Sequence, residues 1–289
     1  MNAILDKNKK RYEQKRRMED HALNMGYLPY EPPLFEEYGT YEGNGELVTV
    51  MNNQQKLKLL RPDITTAMLK DLLPHLDGQK KTKLFYQSSV YRSHSQSVKE
   101  IGQYGVEYLG CVTEAAQLEI LEMAIHYLKE KPFALEVGNT LFLDALLKGY
   151  PLNEAQGGEL RSLLTAKNKD GLAVFVKRNR LPRTLAQIFS FRGSYKELLS
   201  LEKIQWTSEM LEILEEFSKI SKLDNNIIID FSLTNPQPYY SGMIFKGYIA
   251  GQPRAILTGG RYDRLTEKYE KPMGAIGFSI DMEGFTWDI

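Results

Sequence analysis

The 289-residue chain carries 37 Lys plus Arg against 37 Asp plus Glu, a formal net charge of +0, with 42% hydrophobic and 26% charged residues. That balance belongs to an ordinary globular protein and speaks against electrostatically driven nucleic-acid binding, which calls for a basic excess. A single cysteine leaves no pair for a disulfide or a multi-cysteine zinc site, and no apolar run is long enough to span a bilayer, so a cytoplasmic protein is expected.

Residues 7–17 are polar and basic, without the apolar centre of a signal peptide. The near-helical spacing of Tyr12, Met18, Ala22 and Met25 predicts a first helix over 5–25, with Gly26 as its stop. A loop rich in proline and aromatic residues follows over 29–35. Asn44-Gly45 and Asn52-Asn53 mark turns around a short strand at 47–51, a hairpin pattern. Residues 57–60 read as a strand that stops at Pro62. Asp63 stands at the N-cap of the next helix, whose apolar face is Ile64, Met68, Leu69, Leu72 and Leu73 and which Pro74 ends. Strands over 83–92 and 103–109 follow, joined by a polar loop at 93–100. Cys111, just beyond, is expected as a small buried hydrophobe. A helix covers 114–130, with Ala115, Leu118, Leu121, Ile125 and Leu128 on one side.

From about residue 141 to 222 helical patterns dominate, as at 160–164 and 210–220, and strand signals are sparse. Strands return over 227–233, 239–249 and 254–258, the last two parted by the turn Gly251-Gln252-Pro253, and a final apolar strand covers 275–280. Meandering strands without regular strand–helix alternation argue against a doubly wound parallel sheet. The expected class is α+β, an antiparallel sheet flanked by helices. Its core comprises 1–140 and 223–289, interrupted by a helical insertion over 141–222.

Strand alternation puts Gln103, Gly105 and Glu107 on one face of their strand and Tyr104, Val106 and Tyr108 on the other. A glycine between an amide and a carboxylate forms a notch that suits a small ligand bearing an ammonium or imidazole group; a solvated polar face is the plainer alternative. Arg92 ends the partner strand, where a guanidinium can clamp a phosphate or carboxylate or simply face solvent. In Gly259-Gly260-Arg261-Tyr262-Asp263 the glycines allow a sharp turn or close approach to the backbone, without the spacing of a phosphate-binding loop. His21, His75, His94 and His126 are scattered and show no metal-ligand spacing, and no Ser-His-Asp set stands out. The residues alone suggest a small-ligand pocket without a catalytic group, metal or cofactor.

Taken in order, several segments resemble histidyl-tRNA synthetase and its non-synthetase relatives. Leu60-Arg61-Pro62-Asp63-Ile64-Thr65 resembles the amino-acid-binding segment, with Asp63 where the synthetase has Glu. Residues 85–92 and 103–110 resemble the second signature motif of class II synthetases, Tyr239-Tyr240 the tyrosine pair of the histidine pocket, and 259–263 and 274–283 the two closing segments. The resemblance implies a class II synthetase-like fold. It implies a histidine pocket of Asp63, Thr65, Gln103, Glu107, Tyr239, Tyr240 and Tyr262, with Asp63 toward the α-ammonium and Glu107 toward the imidazole. Arg92 and Arg261 become possible anion-binding residues.

The departures from the synthetase pattern fall where phosphate charge is handled, the task of arginines in that enzyme. Glu283-Gly284 stands where the third motif has Glu-Arg, and Asp281 replaces the small residue before that pair. Asn235-Pro236-Gln237-Pro238 precedes the tyrosine pair, where a catalytic arginine is usual, and Ser93 to Gln96 replaces a charged series. One departure touches the histidine pocket instead: Gly102 stands where the synthetase usually has a histidine. The sequence ends at Ile289, soon after the third motif, so the anticodon-reading domain and tRNA binding are not expected. These features resemble the regulatory subunit of ATP phosphoribosyltransferase. Such a protein has no chemistry of its own, forms a homodimer and binds a short-form catalytic subunit. It takes L-histidine as the effector that feeds back on the first step of histidine biosynthesis. A synthetase-like enzyme fragment and a stand-alone amino-acid-binding module are the alternatives.

Overall fold

The computed structural model describes residues 3–39, 46–78, 80–94, 97–148, 150, 152–201, 206–233 and 239–285. In chain order the first elements are α1 (Ala3–Asn24), β1 (Leu28–Pro29), β2 (Phe35–Glu37), β3 (Val48–Met51), β4 (Leu57–Leu60), α2 (Ile64–Leu72), β5 (Thr82–His94), β6 (Ser97–Gly110) and α3 (Glu114–Leu128). Then come β7 (Phe133–Asn139), α4 (Thr140–Leu147), α5 (Glu154–Thr165), α6 (Lys169–Arg178), α7 (Thr184–Phe189), β8 (Arg192–Gly193), α8 (Tyr195–Leu199) and α9 (Ser208–Ile220). The last are β9 (Ile227–Asp230), β10 (Met243–Ile249), β11 (Leu257–Arg261), α10 (Asp263–Lys268) and β12 (Gly274–Asp281). Among the described residues no helix is long and apolar enough to cross a membrane. The chain forms two compact units, Met1–Ile120 with Asp263–Ile289, and Leu121–Tyr262.

In the first unit the strands run in the order β1-β5-β6-β12, with β1 parallel to β5 and the other pairs antiparallel. The small antiparallel sheet β2-β4-β3 is a separate ladder. Its β3–β4 connection is the expected turn, where Asn52 Oδ1 accepts from the amides of Gln54 and Lys56, both at 2.9 Å. The companion turn expected at Asn44-Gly45 lies outside the described residues.

β5 and β6 remain paired from Thr82 opposite Leu109 out to His94 opposite Ser97. The polar residues expected as a loop over 93–100 are therefore largely strand. A ladder satisfies backbone groups whatever the side chains, so exposed polar residues extend a hairpin that a hydrophobic pattern would end early.

One face of this sheet meets α1. Phe85 and Tyr104 stack with centroids 6.1 Å apart, and the Tyr104 hydroxyl donates to the Met18 carbonyl at 3.0 Å. Met18 and Ala22 are buried there, whereas Tyr12 and Met25 are exposed. Burying a methionine-sized side chain contributes about 1.5–3 kcal/mol, so a few such residues suffice to seat a polar helix. The opposite face takes α2 through Ile64, which packs with Tyr86, Val90 and Ile101. Cys111 corrects the expectation of burial. It is exposed, because Gly110 at φ +103° ends β6 and turns the chain out of the sheet.

The second unit has the strand order β11-β10-β7-β9-β8, with β7 parallel to β9 and the rest antiparallel. A parallel pair requires a long crossover. The run from α4 to α9 supplies it, within the segment expected to be helical. These helices carry their own start signals. Asn153 with Gln156 and Ser194 with Glu197 form capping boxes, and Thr207 caps α9. On α9, Met210, Ile213, Leu214, Phe217 and Ile220 are buried at helical spacing. β7 and the short β8 have no counterpart among the expected strands. With two parallel pairs in addition to the antiparallel ones, the architecture is mixed sheet flanked by helices.

Candidate functional site

The first unit gathers four of the expected ligand residues around one sheet face. Antiparallel register sets Leu84 opposite Glu107, Tyr86 opposite Gly105 and Ser88 opposite Gln103. On the other side Gly277, Ser279 and Asp281 oppose Glu107, Gly105 and Gln103. Opposed residues share a face, so Gln103 and Glu107 lie on the side where α2 packs.

Glu107 is 1% exposed, and Thr65 Oγ1, one residue into α2, donates to its Oε1 at 2.9 Å. A Cβ at position 277 would overlap both the Glu107 carboxylate and the Val106 carbonyl. Only glycine leaves that space. A buried carboxylate costs stability unless donors reach it, and the Thr65 hydroxyl is one such donor.

Asp63 takes the place expected of it at the N-cap of α2, accepting from the Thr66 amide at 2.6 Å. The helix start thus accounts for one of its oxygens. Arg61, two residues earlier, is 5% exposed. Its guanidinium donates to the carbonyls of Ser89 at 2.7 Å and Pro33 at 3.1 Å, and also to the Pro32 carbonyl and Ser88 Oγ. Burial lowers its pKa from the ordinary value. These bonds fasten the approach to α2 onto β5 and onto the proline loop, and so place Asp63 and Thr65.

Arg92 follows Ser88 and Val90 by alternation on the same face of β5, farther along the hairpin. Asp281, the departure in the third motif, turns its carboxylate back on its own chain. Its Oδ1 accepts from the amides of Glu283 at 2.9 Å and Gly284 at 3.1 Å.

The notch expected at Gly105 is filled. A Cβ there would overlap the end of the Tyr86 ring, and that ring is 1% exposed. Sequence reading does not single out Tyr86. The signal that finds it is register, since the β5–β6 ladder sets position 86 opposite 105.

In the second unit the three tyrosines come together. Tyr239 and Tyr240 have centroids 5.1 Å apart, and Tyr262 meets Tyr239 edge-on at 6.4 Å. The Tyr240 ring lies against Gly260 of β11. Arg261 sits with Gly259 on the opposite face of that strand by alternation, which separates it from the surface Tyr240 covers. The stretch 235–238, where the synthetase arginine is missing, lies outside the described residues.

A charged network on the same unit has no counterpart in the sequence reading. Glu136 of β7 and Asp230 of β9 are buried. Arg192 Nε donates to Glu136 Oε1 at 2.7 Å, and Lys167 Nζ to Asp230 Oδ2 at 2.9 Å. Ser232 bonds the other Asp230 oxygen through its amide and hydroxyl at 2.8 and 2.6 Å. Lys246 stands opposite Glu136. Burial and the neighbouring Lys167 lower its pKa. Tyr248 is pushed up to about 12, by burial first and then by Glu136.

The profile of the histidyl-tRNA synthetase family matches residues 3–285. The chain is 30% identical to the ATP phosphoribosyltransferase regulatory subunit of Caldanaerobacter subterraneus subsp. tengcongensis, over 94% of this chain and 78% of that protein. With the same coverage it is 28% identical to the protein of that name from Thermoanaerobacter pseudethanolicus. Among solved structures it is similar to an ATP phosphoribosyltransferase regulatory subunit/histidyl-tRNA synthetase from Bacillus halodurans, at TM-score 0.83 and 26% identity, covering 96% of this chain and 78% of that one. It shares the fold, at TM-score 0.77 and 21% identity, with a chain of an ATP phosphoribosyl transferase complex from Thermotoga maritima, covering 94% and 97%. The chain belongs to the histidyl-tRNA synthetase family, among the members named ATP phosphoribosyltransferase regulatory subunits.

Proposed function

We propose that this protein is the non-catalytic, histidine-sensing subunit of an ATP phosphoribosyltransferase. It assembles as a homodimer with a short-form catalytic subunit that needs it for activity. Free histidine then shifts the assembly toward a less active state and so restrains the first step of histidine biosynthesis. The observation that carries this reading is the likeness along 94% of the chain to relatives named as regulatory subunits.

The residues lend it support. Glu107, buried with Thr65 as a donor, suits a ligand offering an imidazole N–H, and Asp63 and Gln103 add polar groups on the same side. Tyr239, Tyr240 and Tyr262 form an aromatic cluster fit to enclose a small amino acid. Gly284 in place of an arginine, and Asp281 bonded to its own backbone, remove positive charge from the segment a synthetase uses on ATP. Recognition without phosphate chemistry is what a sensor requires. Sensing further requires that histidine bind two states of the assembly with different affinity.

Assembly is tested by mixing the purified chain with the short phosphoribosyltransferase of the same genome and passing the mixture over a sizing column with light scattering. We expect one early peak containing both chains. Separate elution of the two at micromolar concentration would contradict the reading.

A further inference from the structure

Gly105 lies between Gln103 and Glu107 on β6, each two residues and about 7 Å away along the strand. The space a side chain at 105 would take is filled by the end of the Tyr86 ring, Cζ, Oη and Cε1 alike. The phenol therefore lies over the strand between the amide and the carboxylate. It is held from behind by Ile64 and Val90, each 1% exposed, with Ile101 beside them. Ile64 opens α2 and is flanked by Asp63 and Thr65. The ring cannot swing away without disturbing the turn that brings Thr65 to Glu107.

We propose that Tyr86 is a specificity-determining residue of this face, setting how large a ring the ligand can place against Glu107. The proposal rests on the reading that the face takes histidine. With the place over Gly105 filled, a substituent that the ligand ring directs toward β6 at that position meets the Tyr86 ring. The hydroxyl is not essential to this role; the ring's bulk is. A well-filled pocket discriminates against one added methyl group by about 10- to 200-fold.

The test compares histidine with histidine methylated at ring carbon C2, by calorimetry, on wild type, Tyr86→Phe, Tyr86→Leu and Gly105→Ala, with melting curves to establish folding. Wild type should favour histidine by at least about tenfold, and Tyr86→Phe should keep that ratio. Tyr86→Leu, which opens space over Gly105, should bind histidine less tightly yet bring the two ligands within about threefold of each other. Gly105→Ala drives the ring toward the ligand and should weaken both. Equal loss for both ligands in Tyr86→Leu would show a purely structural residue and overturn the assignment. If Tyr86→Leu does not fold, Gly105→Ala decides: wild-type affinity for both ligands overturns it. A wild type that binds histidine, beside an unchanged ratio in Tyr86→Leu, sinks only the role of Tyr86. A wild type that binds neither ligand sinks the histidine reading and this inference together.

Discussion

At the scale of single residues, the arrangement turns on Glu107 and the groups that permit its burial. Thr65, read from resemblance as a ligand residue, is its hydrogen-bond donor, while Gln103 lies four residues before it on the same face of β6, beyond Gly105. The Thr65 bond gives a measurable consequence. Thr65→Val keeps the shape of the side chain but withdraws a donor from a buried carboxylate, which should cost about 1–3 kcal/mol of stability in urea denaturation. Thr65→Ser should recover most of it. If valine and serine are equally stable, the hydroxyl does not hold Glu107. Asp63 shows how far local sequence reaches. An aspartate before an apolar helical run announces a cap, and the cap is there. Gly277 and Tyr86 were beyond local reading, because what each faces is decided by the neighbouring strand and not by its own sequence surroundings.

At the scale of elements, the helix starts, the strand at 57–60 and the turn at Asn52 follow from capping and turn residues that act locally. Where elements go unrecognised, the cause is distant partners. β7 reads poorly as a buried strand because Glu136 interrupts its apolar run; Arg192 and Lys167, which lie 56 and 31 residues later, make its burial tolerable. Cys111 was misplaced because one glycine with positive φ turns it outward. The network around Glu136 also predicts how the second unit responds to alkali. Tyr248 titrates near 10.0 when unfolded and near 12 when folded. Between those values the unfolded chain has lost a proton that the folded chain keeps, so stability falls as pH rises through this window and is intact below it. Tyr248→Phe should lose less stability than wild type between pH 10 and 12, followed by denaturant midpoints. Parallel losses in both proteins would show that this tyrosine is not coupled to folding.

At the scale of the whole molecule, the family was legible because several short segments occur in the right order, although each is weak alone. Composition could exclude a basic nucleic-acid binder or a disulfide scaffold, but not separate a sensor from an enzyme. That distinction rested on a few positions, Gly284 and Asp281 among them, where a synthetase would place groups for phosphate charge. The mixed sheet was not legible, since parallel pairing of β7 with β9 depends on a crossover whose path no local pattern encodes. The proposed partner is likewise invisible to composition; it comes from the motif resemblance and from the names of relatives. The most direct test of the central claim is therefore an activity measurement. The short phosphoribosyltransferase is assayed for ATP phosphoribosyltransferase activity alone, with this chain, and with this chain plus histidine, alongside a Glu107→Ala chain. The account predicts activity that rises on adding this chain and falls with histidine, with the fall blunted in Glu107→Ala. Activity indifferent to this chain, or inhibition by histidine that is the same in its absence, would contradict it.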